Sequence, residues 1–229
     1  MPKPKPSVEI EIKLSIRDIT ALRTRLRNLR AREITPRTYE LNTLYDTPRQ
    51  DLRRRGRLIR VRIEHLASST ANQHQPENAT AILTYKGPAP SSPRLEKPGK
   101  THPKIDTHFK IKDEAEVSVT NPADLQRILH GLGLRPSFRY EKFRTTYAIP
   151  RISNLKIELD ETPVGIFLEL EGTTAAIDRT ARLLGYTRKD YSTETYGSLY
   201  LADCRRRGQK PGDMLFPPTK NFKEHSLFS

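Results

Sequence analysis

The chain has 229 residues with 41 Lys and Arg against 27 Asp and Glu, a net charge of +14, one cysteine and no tryptophan. That length supports one domain with a sizeable core. The lone Cys204 excludes an internal disulfide and fits a reducing, cytoplasmic compartment, and no apolar run approaches the roughly 20 residues that cross a bilayer. The excess of base points to a polyanionic partner: nucleic acid, nucleotides or polyphosphate.

In chain order, residues 1–7 are a basic, proline-rich leader without the apolar stretch of a signal peptide, expected to be disordered. Residues 8–14 alternate as a strand, and Ser15 is expected to cap a helix reaching Arg30, with Ile19, Leu22, Leu26 and Leu29 on one face. Strands are expected over 33–46 and 56–64, a polar loop over 67–78, a strand over 80–86, a proline-rich loop over 88–103 and a strand over 108–119. Asn121-Pro122 opens a helix with the stripe Leu125, Ile128, Leu129 and Leu132. Strands over 135–149, 155–160 and 164–171 follow, then a helix from Thr174 to Gly185 and a last helix capped by Ser192. One domain spans 8–203, and 204–229 is expected to be an extended basic tail.

The strands share an unusual pattern. In VEIEIKLSI (8–16) Glu9, Glu11 and Lys13 lie opposite Val8, Ile10, Ile12 and Leu14. Arg60 and Arg62 lie opposite Ile59, Val61 and Ile63; Thr84 and Lys86 lie opposite Leu83 and Tyr85. Lys110, Lys112, Glu114 and Glu116 share a face, as do Lys142 and Arg144. Lys156, Glu158 and Asp160 share a face, as do Glu169 and Glu171. Like charges two residues apart sit roughly 7 Å from each other and repel unless a counter-ion lies between them. Strands joined mostly without helices point to an antiparallel sheet. The economical solution is an α+β fold: an eight-stranded antiparallel β-barrel, charged faces inward around a polar tunnel, apolar faces covered by helices. Its carboxylates suit divalent metal and its Arg and Lys suit phosphates.

The residues also resemble a known family, the CYTH domain of the triphosphate tunnel metalloenzymes. The likeness starts at Glu9-Ile-Glu11-Ile-Lys13 and continues through YDTP (45–48), RLIRVR (57–62), LTYKGP (83–88), KDEAEV (112–117), YEKFRTTY (140–147), IELDETPVGIFLELEG (157–172) and DYSTETYGSLYL (190–201). The resemblance implies a metal-dependent enzyme using Mg²⁺ or Mn²⁺ on inorganic triphosphate, ATP or thiamine triphosphate. Glu9, Glu11, Lys13, Arg60 and Arg62 would carry catalysis. Metal ligands would be Glu9, Glu11, Glu169 and Glu171 with Glu158 or Asp160. Lys13, Arg60, Arg62, Lys86, Lys142 and Arg144 would grip phosphates, with Lys189 as a further contact; Glu114 and Glu116 would support the basic groups or bind metal.

Triphosphatase is the favoured activity and adenylyl cyclase the alternative. A non-catalytic polyphosphate- or RNA-binding module is the reading from another class, with 5′-triphosphorylated RNA between the two. No membrane association is expected, and both monomer and homodimer fit. Arg53-Arg54-Arg55 and Arg205-Arg206-Arg207 read as solvated charge able to draw polyanions toward the tunnel. The six histidines lack metal-ligand spacing.

Overall fold

The computed structural model describes residues 7–67, 81–88 and 106–217. Most of the expected leader, most of both polar loops and the end of the tail lie outside the described residues. The elements are β1 (Ser7–Ile16), α1 (Ile19–Asn28), β2 (Arg32–Asp46), α2 (Asp51–Arg54), β3 (Leu58–Leu66), β4 (Ala81–Pro88), β5 (Lys110–Val119), α3 (Pro122–Gly131), β6 (Arg135–Ala148), β7 (Leu155–Thr162), β8 (Gly165–Gly172), α4 (Thr174–Leu183), a 3-10 turn (Arg188–Asp190) and α5 (Tyr196–Arg207).

The eight strands close in the order β1-β5-β4-β3-β2-β6-β7-β8, every neighbour antiparallel. Closure removes both sheet edges. Alternation then sends every second side chain into the bore, and register decides who meets whom: Lys13 stands opposite Glu169, Glu40 opposite Lys142, and Arg144 opposite Asp160. The expected barrel, with its charged faces inward, is the observed one.

The outer faces are covered unevenly. Ile12, Leu14, Ile157, Leu168 and Leu170 of β1, β7 and β8 pack under Leu22 and Leu26 of α1 and Ile177 and Ala181 of α4. Arg25 of α1 donates to the Leu184 carbonyl (2.7 Å), tying the two helices together. On the other side Leu125 and Leu129 of α3 cover Tyr45, Val61 and Ala81. Ile128 and Leu132, expected in the buried stripe, are exposed instead, as are Val8 and Val117.

Several boundaries differ from expectation. β1 runs on through Ser15 and Ile16, which pair with Phe167 and Ile166, so the cap of α1 is Asp18, whose carboxylate accepts from the Ala21 N–H. α5 is capped by Thr195, because Ser192 is engaged in a backbone bridge with Lys13. Before β3 lies the short helix α2, so that strand begins at Leu58, not Gly56. Part of the expected tail is a docked strap: Met214 N donates to the Arg139 carbonyl (2.9 Å), Glu141 N donates to the Met214 carbonyl (3.0 Å), and Met214 is fully buried. No helix among the described residues is long and apolar enough to cross a membrane.

Candidate active site: a charge-lined tunnel

A cavity of about 1290 Å³ occupies the bore. Among the described residues eleven Asp and Glu and eleven Lys and Arg line it, so the wall is balanced although the chain is strongly basic. Glu9, Glu11, Lys13, Arg60, Arg62, Lys86, Lys142, Arg144, Glu158, Glu169 and Glu171 are all in the lining, with Glu114 and Glu116. Two expected site residues are placed differently. Lys189 is exposed on the 3-10 turn, outside the lining. Asp160 is fully buried behind it.

Asp160 is an anchor. Its carboxylate accepts from Lys142 Nζ (3.0 Å), from Arg144 Nε (2.6 Å) and from the Tyr196 hydroxyl (2.5 Å). Arg144 also pairs with Glu158 and Glu169, and burial, which disfavours its charge, is outweighed by these three carboxylates. Lys13 Nζ lies 2.7 Å from Glu169 and 3.3 Å from Glu11. Burial alone would raise the Glu169 carboxyl, yet Lys13 and Arg144 hold it well below the ordinary range. Burial also works against Glu11, which Lys13 and Lys110 bring down to about 2. Tyr196 of α5 completes this wall, its ring 5.1 Å from Lys13 Nζ and 5.4 Å from Lys142 Nζ, a cation–π arrangement for both.

The facing wall is looser. Arg60 donates to Tyr140 (3.4 Å), Thr84 (3.2 Å) and Glu116 (3.2 Å), yet its buried Nε has no hydrogen-bond partner; nor has that of Arg62. Lys86 Nζ reaches Glu9 (2.6 Å) and Glu114 (3.3 Å). Lys112 loses proton affinity, through burial first and then through Lys110 and Lys86. These guanidinium and ammonium groups suit phosphate oxygens: Arg by bidentate donation, Lys as a point charge.

Sequence reading missed Glu40 and Tyr196, and put Lys156 on a charged face without giving it a site role. Glu40 of β2, 2% exposed, meets Lys142, Arg144 and Arg62, and these bring its carboxyl to about 2 against the effect of burial. The alternation Thr38, Glu40, Asn42 opposite Tyr39 and Leu41 carried that signal. Lys156 pairs with Glu158 and Glu171. Tyr196 lies in the family-like segment DYSTETYGSLYL (190–201), but no charge alternation marked it as a site residue. Beside the charges, Leu44, Phe138, Tyr140 and Tyr200 belong to one apolar cluster and line the cavity.

The donor set fits a hard divalent cation by chemistry: oxygen only, from glutamates on three adjacent strands, β1, β8 and β7. Glu9, Glu11, Glu158, Glu169 and Glu171 all line the cavity from these strands, and burial, then the neighbouring Glu11, push the Glu9 carboxyl up to about 7 against the pull of Lys86. Among the described residues no three carboxylates converge into a ready-made metal cluster; the glutamates are drawn to Lys and Arg instead.

Residues 7–196 match the family model described as the CYTH domain. No curated protein sequence matches the chain. Solved structures do. A Vibrio parahaemolyticus protein provisionally called an adenylate cyclase has a TM-score of 0.63 at 14% identity, over 85% of this chain and 98% of its own. A Pyrococcus horikoshii protein has 0.62 at 22% identity, over 85% and 99%. A Hippeastrum protein, named for adenylyl cyclase and described as having a dominant triphosphatase activity, has 0.51 at 18% identity, over 89% and 97%. At such identities the likeness carries the fold alone.

Proposed function

The chain belongs to the CYTH domain family, whose members act on triphosphates, and from that premise we propose that it is a divalent-metal-dependent triphosphatase. The carrying observation is the balance of the tunnel wall. A bare triphosphate brings several negative charges into a neutral, partly desolvated bore, where unpaired charge is costly. A triphosphate accompanied by divalent cations is close to neutral, and each partner finds its own complement.

In this reading Arg60, Arg62 and Lys86 bind phosphate oxygens from one wall, and Lys13, Lys142 and Arg144 from the other. Asp160, Glu40 and Tyr196 hold those cations in place before substrate arrives, so little reorganisation is required in the transition state. Glu9, Glu11, Glu158, Glu169 and Glu171 would hold Mg²⁺ or Mn²⁺, which when bound supplies charge neutralisation and a more acidic water. Inorganic triphosphate, ATP and thiamine triphosphate are the candidate substrates.

One observation favours a second reading, adenylyl cyclase: the cluster of Leu44, Phe138, Tyr140 and Tyr200 offers an apolar surface to a purine beside the phosphate groups.

The test is incubation of the purified protein with inorganic triphosphate and, separately, ATP, with Mg²⁺, Mn²⁺ or EDTA, products being separated by chromatography. The triphosphatase reading expects orthophosphate, lost with EDTA and lowered at least about a hundredfold in Glu169→Gln. Cyclic AMP with pyrophosphate would replace it by the cyclase reading. Turnover indifferent to both EDTA and Glu169→Gln would sink the metal-dependent tunnel chemistry.

A further inference from the structure

The looser wall of the tunnel holds a buried acceptor and a buried donor that both lack partners and stand at neighbouring positions. Asn42 of β2 is fully buried and lies outside the cavity lining, although it alternates in step with Glu40. Its register partners are Arg62 on β3 and Tyr140 on β6. Its Nδ2 donates to Glu40 Oε2 over a long 3.4 Å. Against the effect of burial, Lys142, Arg144 and Arg62 keep Glu40 ionised, so that it only accepts. This fixes which end of the Asn42 amide is nitrogen. The other end, Oδ1, has no hydrogen-bond partner among the described residues.

Arg60 Nε is the matching orphan. Arg60 stands two positions from Arg62 along β3, on the diagonal from Asn42, a separation that a long side chain spans. It reaches from β3 over β2 to the Tyr140 hydroxyl on β6, and so passes above Asn42. Arg62 Nε also lacks a hydrogen bond, but a Glu64 carboxylate oxygen lies 3.5 Å from it. The carboxylate contact of Arg60, to Glu116, is made by Nη2. An unpaired polar atom in a buried setting is costly. One bond between Arg60 Nε and Asn42 Oδ1 would satisfy both.

We propose that Asn42 is the positioning residue of Arg60: when a phosphate draws Nη1 and Nη2 off Tyr140, Thr84 and Glu116, the guanidinium turns and Nε donates to the Asn42 amide oxygen. The inference rests on the triphosphatase reading in taking Arg60 as a phosphate ligand. The bonds given up are long, 3.2 to 3.4 Å. Charge explains the amide. A carboxylate at position 42 would compete with phosphate for the guanidinium, as Asp160 and Glu158 would at Arg144. A neutral oxygen orients the planar fork and leaves its charge to the ligand. Because the bond forms with ligand bound, it adds to affinity and not to the stability of the free protein.

The experiment uses full-length protein and Asn42→Leu, alone and combined with Arg60→Gln or with Lys86→Gln. The probe is the imido analogue of inorganic triphosphate, whose P–N–P links resist hydrolysis. Its affinity is measured by calorimetry with Mg²⁺, beside unfolding in denaturant. Asn42→Leu is expected to weaken binding at least about tenfold, with the unfolding midpoint unchanged or raised. Added to Arg60→Gln it should cost less than about twofold, and added to Lys86→Gln it should cost its full factor. Unchanged affinity, or the full factor on top of Arg60→Gln, overturns the proposal. So does an affinity loss matched by a loss of stability, which is the signature of packing alone. If the leucine protein does not fold, Asn42→Thr, which suits a strand but has a shorter reach, is read by the same criteria. A native protein that does not bind the analogue overturns the inference together with the phosphate role of Arg60. One that binds it but hydrolyses no triphosphate removes the triphosphatase reading alone, and the Asn42 result still decides the positioning role.

Discussion

The two walls of the tunnel are built from the same residue types but hold them differently. On β6, β7, β8 and β1 the bore carries Lys142, Arg144, Glu158, Glu169 and Lys13, joined with Asp160 behind them into one buried network. Much of that wall is backed by the larger core beneath α1 and α4. On β3, β4 and β5 Arg60 and Arg62 are as buried as Arg144, but Glu116 is more accessible and the Arg60 Nε donor is unused. The cover behind them is thinner: α3 leaves Val117 of β5 exposed. A backed wall excludes water, which strengthens each ion pair and makes breaking one expensive. The contrast teaches a division of labour. One wall is fixed by its internal pairs, and the other keeps bonding capacity for a ligand.

The largest expected effect would break this contrast if it failed. Asp160→Ala removes the buried partner shared by Lys142, Arg144 and Tyr196, leaves Lys142 with Glu40 alone, and should cost about 3 kcal/mol. Glu116→Ala removes an accessible partner of Arg60 and should cost about 1 kcal/mol or less. Denaturant unfolding of both variants measures the difference; comparable losses would mean that the walls are energetically alike.

Next in size is a comparison of arginines. Arg60→Gln should raise KM for triphosphate roughly tenfold to a hundredfold, the range of charge-assisted hydrogen bonds at about 1.5–3 kcal/mol, while the unfolding midpoint barely moves. Arg144→Gln should lower both affinity and stability, because Glu158, Asp160 and Glu169 lose their shared cation. A stability loss in Arg60→Gln matching that of Arg144→Gln would erase the distinction between ligand-facing and wall-holding arginines.

The barrel and most of its lining were legible because period-two alternation is a local property. Glu9, Glu11 and Lys13 declare a shared face within five residues, and the same reading extends to Arg60 with Arg62 and Glu169 with Glu171. Depth along the bore was not legible. Asp160 shares a face with Glu158, yet register carries it behind the lining onto Lys142 and Arg144. Glu40 was passed over because it is the lone charge in the alternating stretch from Thr38 to Asn42, and Pro36 and the register shift between Thr35 and Thr38 break the pattern just before it. Tyr196 reaches Asp160 across 36 positions, and nothing around Tyr196 in the chain announces that bond. The strap had no strand pattern to find, since its docking depends on an open stretch of β6.

That open stretch is where the two walls can be told apart most finely. β6 pairs with β2 along most of its length, but β7 joins it only from Phe143 onward. Met214 occupies part of the remaining edge, and Asp213 fastens it by accepting from Arg139 N (2.8 Å) and Nε (2.7 Å). Asp213 also lines the cavity. If the strap is a piece of wall, Asp213→Ala loosens one partly exposed pair, costs about 1 kcal/mol or less, and leaves turnover of inorganic triphosphate within about twofold. The measurement is thermal unfolding beside steady-state kinetics on one preparation. A turnover loss of tenfold with the unfolding midpoint unchanged would move Asp213 from the wall into the site, and the fixed side of the tunnel would then contribute a carboxylate from the chain's end to the chemistry itself.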